Sequence, residues 1–245
     1  MNKKNKIVKN SLLSLVFMLI ISFMGFFIWA KFTYKPTSVA VNAMTSNELV
    51  NVTKKAELIV FTPSSLTPTK GLIFYPGAKV EPESYTTLCK EISKEGFLVV
   101  IAPMPLDLAI LSPNKAENII NKFHNIKTWA IGGHSLGGVM ASNYAMKNDK
   151  VKGIIFYASY PQGDELKNSD KKVLSIYGSL DGVANLENIK NASFPDDARF
   201  IEIKGGNHSQ FGSYGQQSKD NNAAISEDEQ IHLAAKYTVD LLNNL

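Results

Sequence analysis

The sequence predicts an α/β fold: a mostly parallel eight-stranded sheet with helices on both faces, preceded by one N-terminal transmembrane helix. Three observations predict it. Apolar runs of strand length recur along the chain, several of them (LIFY, FLVVIA, GIIFYA) continuously apolar rather than alternating, as strands covered on both faces are. Helix-like stretches separate these runs, which is the pattern of an open α/β sheet. Residues 11–30 contain no charged side chain and, as a helix rising 1.5 Å per residue, reach about 30 Å, the thickness of a bilayer's hydrocarbon core.

The elements can be taken in chain order. Residues 1–10 form a basic leader with Lys3, Lys4, Lys6 and Lys9, and residues 11–30 form the span. Lysines before it and the aromatics Trp29, Phe32 and Tyr34 after it place the N-terminus in the cytoplasm and the body outside. The competing reading is a cleaved secretory signal, which calls for a shorter apolar core and small residues at the cleavage site; Ile28-Trp29-Ala30 fits that poorly. The small, polar stretch after the span reads as a tether over 31–48, and the folded domain as 49–245.

Candidate strands lie at Leu49–Thr53, Leu58–Thr62, Leu72–Tyr75, Phe97–Ala102, Thr128–Gly132, Gly153–Ala158, Lys172–Tyr177 and Phe200–Lys204. Candidate helices lie at Pro82–Lys94, which carries Pro in its first turn and stops at Gly96, at Lys115–His124 and at Leu136–Lys147. A last helix opens with Ser226 and Glu229 spaced as a capping box, and Ile231, Leu233, Ala234, Thr238, Leu241 and Leu242 give it an apolar stripe.

Composition excludes several classes. With 245 residues, 44% hydrophobic and 20% charged, the chain is neither disordered nor fibrous, and it can bury one core without staples. The formal charge of +4 comes from the leader: residues 1–35 hold six lysines and no acid, leaving 20 basic against 22 acidic residues in the rest. A nucleic-acid-binding domain would carry its basic excess on the folded body. Cys89 is the single cysteine, so no internal disulfide and no multi-cysteine zinc site can form. No H-x-x-H, H-E-x-x-H or G-x-G-x-x-G pattern stands where a metal or nucleotide would need it, so no cofactor and no metal are expected.

The chemistry is carried by Gly133-His134-Ser135-Leu136-Gly137, set between the run TWAIG and an apolar helix. That strand, tight turn and helix are the context of a nucleophile elbow, in which small flanking residues let backbone and helix close in while the serine hydroxyl points out. The alternatives are a glycine-rich turn with Ser135 as a helix cap, or a phosphate loop, which lacks the expected G-K-[ST]. A serine nucleophile needs a base, and the base an acid to hold its tautomer. Asp181, in YGSLDG after KKVLSIY, and His208, in GGNHSQFG after FIEIK, stand directly after strands.

At this point the chain resembles the α/β-hydrolase family over nearly all of 49–245. The nucleophile comes after the fifth candidate strand, the acid after the seventh and the histidine after the eighth, as in that family. The resemblance implies a catalytic triad of Ser135, Asp181 and His208, and an oxyanion hole made by the backbone N–H groups of Leu136 and of Ala78 in Tyr75-Pro76-Gly77-Ala78. Pro76 stands where many relatives have His. The stretches GLIFYPGAKVEPESY, PMPLDLAILSPNKA and NHSQFGSYGQQ look like a bacterial subgroup of small members, and the short connection Ser159–Lys171 looks uncapped.

Other candidates have plainer readings. Asp164, after the sixth strand, is the alternative acid; Asp181 is preferred for its tight, strand-anchored loop. His124 reads as a helix-terminal charge partner, His232 as a structural helix residue, and His134 as support beneath the turn. Tyr214, Gln210 and Lys79 are candidates to line the cleft or to serve as turn and rim residues. The expected function is a membrane-anchored, extracytoplasmic serine hydrolase cleaving an acyl ester of small-molecule or envelope origin through an acyl-enzyme. Thioesterase, peptidase or transacylase action on the same residues, or a non-catalytic tethered binding protein, are the rivals.

Overall fold

The computed structural model describes residues 3–55 and 57–245, with side chains from residue 10 onward. Met1, Asn2 and the side chains of Lys3, Lys4, Lys6 and Lys9 in the leader thus lie outside the described part. The chain divides into two compact units that part between Thr33 and Tyr34. The first is the helix α1 (Lys3–Ala30), whose stretch Asn10–Ala30 is long and apolar enough to cross a membrane and exposes its Leu, Ile, Phe and Met side chains along its length.

The second unit starts earlier than the tether reading places it. Tyr34 forms a parallel bridge with Val80. A short helix α2 (Ser38–Ala43) comes next, with Ala40 buried and its carbonyl accepting from Thr86 Oγ1 at 2.6 Å. The small residues between 36 and 47 pack closely for the reason they look unpatterned: Ala and Ser fit against a neighbouring helix without a periodic stripe. Tyr34 is half-buried, with its ring tilted against that of Tyr214 at 5.6 Å between centroids.

Eight strands form one sheet: β1 (Val50–Lys55), β2 (Leu58–Pro63), β3 (Lys70–Tyr75), β4 (Leu98–Ile101), β5 (Thr128–His134), β6 (Val151–Tyr157), β7 (Lys172–Gly178) and β8 (Arg199–Ile203). Their order is β1-β2-β4-β3-β5-β6-β7-β8. β1 pairs with β2, and β2 with β4, antiparallel; every other pair is parallel. All eight candidate strands are present, with ends that coincide or shift by at most two residues.

The continuous apolar runs are explained by two cores. Leu72 and Phe74 of β3 face one cluster, and Ile73 and Tyr75 face the other, because successive side chains leave a strand on opposite sides. α3 (Thr86–Ser93) and α7 (Glu227–Asn243) cover the first face through Leu88, Ile92, Ile231, Ala234 and Leu242. α4 (Lys115–Lys122) and α5 (Leu136–Ala145) cover the second through Ile119, Ile120, Met140 and Ala141. Each fully buried Leu, Ile or Phe contributes about 1.5–3 kcal/mol. Ser226 caps α7, accepting from Glu229 N at 3.1 Å, and α6 (Leu186–Asn191) is capped by Asn185. The connection Ser159–Lys171 holds one 3₁₀ turn, Glu165–Asn168.

Candidate active site

In a parallel sheet the loops at the carboxyl ends of the strands share one edge, and the residues singled out in the sequence are carried there. β5 ends at His134, and Ser135 turns the chain into α5 with φ 52° and ψ −125°, a backbone costing about 1–3 kcal/mol in a residue with a Cβ. The turn is held by its neighbours: Ser135 N donates to Tyr157 O at 3.0 Å, and Ser159 Oγ donates to Ser135 O at 2.7 Å. A Cβ on Gly137 would lie 2.2 Å from Tyr75 O and 2.4 Å from Pro76 O, so glycine there is what lets α5 close against the β3 loop.

The loops after β7 and β8 bring Asp181 and His208 together. Asp181 Oδ2 lies 2.8 Å from His208 Nδ1, and both side chains are out of reach of solvent. Asp181 Oδ1 accepts from the N–H groups of Val183 at 2.8 Å and Ala184 at 2.7 Å. A carboxylate so engaged has only its other oxygen for the ring, which places the imidazole proton on Nδ1 and leaves Nε2 an acceptor. His208 Nε2 is buried and has no hydrogen-bond partner among the described residues, and the His208 ring stacks 4.4 Å from His134, the residue before Ser135.

His134, the residue before Ser135, is buried among polar and aromatic neighbours. Its Nδ1 lies 2.8 Å from Tyr85 Oη, which in turn accepts from Gly77 N at 3.0 Å. Burial pushes the Tyr85 hydroxyl up, so it stays a donor. Burial first, and then the neighbouring His208, hold His134 well below the ordinary imidazole range, so this ring adds no second positive charge beside His208.

The same network selects among the amides of the β3 loop. Gly77 N donates to Tyr85 Oη, Lys79 N to Asp107 O and Val80 N to Gly77 O. The N–H of Ala78 donates to no group among the described residues, and neither does that of Leu136 at the first position of α5. An unpaired amide on the β3 loop and one at a helix N-terminus are suited to developing negative charge.

Of the remaining candidates, Asp164 is turned away from His208 and accepts from Ser193 Oγ. His124 is exposed after α4, and His232 Nδ1 stands 4.0 Å from Glu91 Oε2 on the outside of α7. Tyr214 is buried, with its ring 6.4 Å from His134, and Gln210 Nε2 donates to Ile225 O. Lys79 holds the β3 loop in a left-handed turn with φ 61°. Among the described residues no group of three His, Cys, Asp or Glu side chains gathers as metal ligands would.

Two residues that hold these loops in place escape the sequence reading. Tyr85 looks like one more helix residue. Asp220, in the polar stretch SKDNN, looks like a solvated turn. Its Oδ1 accepts from Gly182 N at 3.0 Å and His208 N at 3.3 Å, and its Oδ2 from Ser209 N at 2.8 Å and Ser209 Oγ at 2.5 Å. One carboxylate thus ties the Asp181 loop to the His208 loop. Gln230 of α7 completes the hold, accepting from Asn207 N at 2.9 Å and donating to Asn207 O at 2.8 Å.

Asp107, beside the β3 loop, is pushed up to about 6 by partial burial and then by the charges of Glu81 and Glu83. A carboxyl whose folded value lies above its unfolded one binds more protons when folded, so stability falls as pH rises from about 4 to 6. Asp107→Asn is expected to flatten that fall and to stabilise the protein at pH 7 by about 1 kcal/mol, once screening of this half-exposed group is allowed for. Urea midpoints at pH 4 and pH 7 measure it; an unchanged difference between the two would dismiss the effect.

The family model described as the alpha/beta hydrolase family matches residues 71–232. Among solved structures, a predicted CIB-like hydrolase from Thermoplasma acidophilum aligns at TM-score 0.59 and 19% identity, covering 80% of this chain and 100% of that one. The esterase domain of a Rhodothermus marinus protein aligns at TM-score 0.62 and 11% identity, with 80% and 98% covered. A Pyrobaculum calidifontis esterase aligns at TM-score 0.59 and 14% identity, with 83% and 89% covered. No curated protein matches.

Proposed function

From the premise that this chain belongs to the alpha/beta hydrolase family, we propose that it is a serine hydrolase cleaving an acyl ester through Ser135, His208 and Asp181. The observation that carries this is the buried Asp181–His208 pair, 2.8 Å apart, whose Nε2 is left without a partner beside the strained turn of Ser135. His208 Nε2 takes the proton from Ser135 Oγ as the oxygen attacks the acyl carbonyl. The tetrahedral oxyanion is met by the N–H groups of Leu136 and Ala78, donors worth about 3–4 kcal/mol each in such sites. His208 then protonates the departing alcohol. Water, activated by the same nitrogen, releases the acyl group and restores Ser135. Asp181 holds the tautomer and balances the imidazolium.

The helix Asn10–Ala30 is read as a signal-anchor, with the hydrolase unit outside the cytoplasm, on the strength of its length, its uncharged character and the lysines before it. Labelling the full chain in detergent with a fluorophosphonate probe, then mass analysis of its peptides, tests the nucleophile. Label on Ser135 is expected; a folded protein that takes none would mean an inert serine and a binding scaffold.

Asp220 acts in this scheme through its two loops. Asp220→Asn leaves an amide group facing Ser209 N and Oγ where an acceptor stood, and is expected to lower kcat about 10–100-fold with KM little changed, since displacing the base by about 1 Å costs that much. A loss confined to KM would place Asp220 in substrate binding instead.

A further inference from the structure

We infer that Tyr34 is a positioning residue for the reaction, clamping the loop that carries Ala78 to the loop that carries His208; this rests on the acyl-transfer reading above. The two loops come from opposite sides of the strand that carries the nucleophile. β3 is the neighbour of β5 on one side, and β8 stands three strands away on the other. An oxyanion donor and a base must still be held in register with each other, because a misplacement of about 1 Å costs on the order of 10²-fold in rate. Tyr34 touches both loops. Its N–H donates to Lys79 O at 2.7 Å and its carbonyl accepts from Glu81 N at 3.0 Å, so this one residue pairs as a strand would with the backbone that follows Ala78. On the other side its hydroxyl accepts from Ser218 N at 3.0 Å, and its ring stands 5.6 Å from that of Tyr214.

What Tyr34 holds at Ser218 is passed on to the base. Two residues further along, Asp220 accepts from His208 N and from Gly182 N, and one residue back, Gln217 N donates to Ser209 Oγ at 2.9 Å. Lys219, at φ 72°, turns the chain between these two latches. A shift of Ser218 therefore moves His208 and, through Gly182, the loop of Asp181. The effect of the clamp is on position rather than on stability. Ser218 is exposed, so water can take its N–H if the tyrosine hydroxyl is removed, and the stretch stays docked through Thr37 N to Ser213 O at 2.8 Å and Ser213 N to Ser84 O at 2.6 Å. Water replaces the energy of the hydrogen bond but not the fixed distance between the loops. Tyr34 also lies before residues 71–232, the stretch that the family model matches, so the clamp is this chain's own addition to the matched domain.

The test follows the rate at which a fluorophosphonate labels Ser135, over a range of probe concentrations, on the full chain in detergent. Labelling draws on the same base and the same oxyanion donors as acylation. The proteins compared are the parent, Tyr34→Phe, Tyr34→Ala, Asp220→Asn, and Tyr34→Phe combined with Asp220→Asn. Tyr34→Phe is expected to lower the maximal labelling rate about tenfold and Tyr34→Ala about thirtyfold, with the half-saturating probe concentration unchanged in both and the urea midpoint of Tyr34→Phe unchanged. The double variant should lose little more than Asp220→Asn alone, because both residues act through one segment. Parental rates in both Tyr34 variants, or losses that multiply in the double variant, would overturn the inference and leave the triad standing. A loss in Tyr34→Phe accounted for by a lower urea midpoint would overturn it too, making Tyr34 a packing residue. A folded parent that takes no label would remove the hydrolase reading itself, and the inference with it.

Discussion

Ser135→Ala is expected to abolish turnover, lowering kcat by about 10³–10⁶-fold, while leaving the fold intact. The size of the loss reflects the unit in which the serine acts. Without Oγ, His208 has nothing to deprotonate except water, and only the amides of Leu136 and Ala78 and the binding of substrate remain to favour the transition state. The fold survives because Ser135 Oγ caps nothing: α5 has no side-chain cap bond at its first turn, and the elbow is held by backbone groups and by Ser159. Ser135→Gly separates the chemical from the structural part. It removes the same hydroxyl and also the strain of φ 52°, so it should be equally inactive yet melt higher than Ser135→Ala. Circular dichroism melts beside ester turnover read both. An alanine variant that turned over at the parental rate would sink the triad.

Gly137→Ala is the substitution with the largest expected cost to the fold. The added methyl would meet two backbone carbonyls, Tyr75 O at 2.2 Å and Pro76 O at 2.4 Å, and neither can turn aside as a flexible side chain could. Either α5 lifts from the sheet or the β3 loop moves outward, at about 3 kcal/mol or more, which in a unit of this size lowers Tm by roughly 10 °C. The loop that must move carries Ala78. Activity should therefore fall further than the unfolded fraction explains, by about 10²-fold, as when one oxyanion donor is lost. Thermal melts and kcat at a temperature where the variant is folded check the two effects apart. A variant with parental Tm would mean that the close approach of α5 to the loop is relaxed in solution.

Much of this is legible in the sequence because parallel strands announce themselves. A strand buried on both faces must be apolar at every position, so β3, β4 and β6 stand out as runs, and Ser135, Asp181 and His208 are found in the loops that leave β5, β7 and β8. Strand order is not legible in this way. That β2 lies beside β4 and antiparallel to it comes from tertiary packing and leaves no local trace in residues 58–63. Residues that work through polar contacts are also hidden. Asp220 and Tyr85 act because folding brings loops from separate strands together, whereas in the chain one sits among turn formers and the other among helix formers. The stretch 34–47 reads as a tether for a related reason: Ala40 and Tyr34 are held by partners 46 and 184 residues away, so no periodicity betrays them.

The sheet ends on β1 and β8; on β1 the outer backbone groups of Val50 and Val52 are taken by Asn47 and Ser46, which leaves the end at Lys54 and Lys55 open. Open edges of this kind recruit strands from other molecules. β1 ends in Lys54 and Lys55, and β8 opens with Arg199 and carries Glu202, all exposed or nearly so. Two β1 edges brought together would gather four exposed lysines on one short ribbon. The charges that look like ordinary surface in the sequence therefore act as spacers at the two ends of the sheet, disfavouring its extension by a second copy.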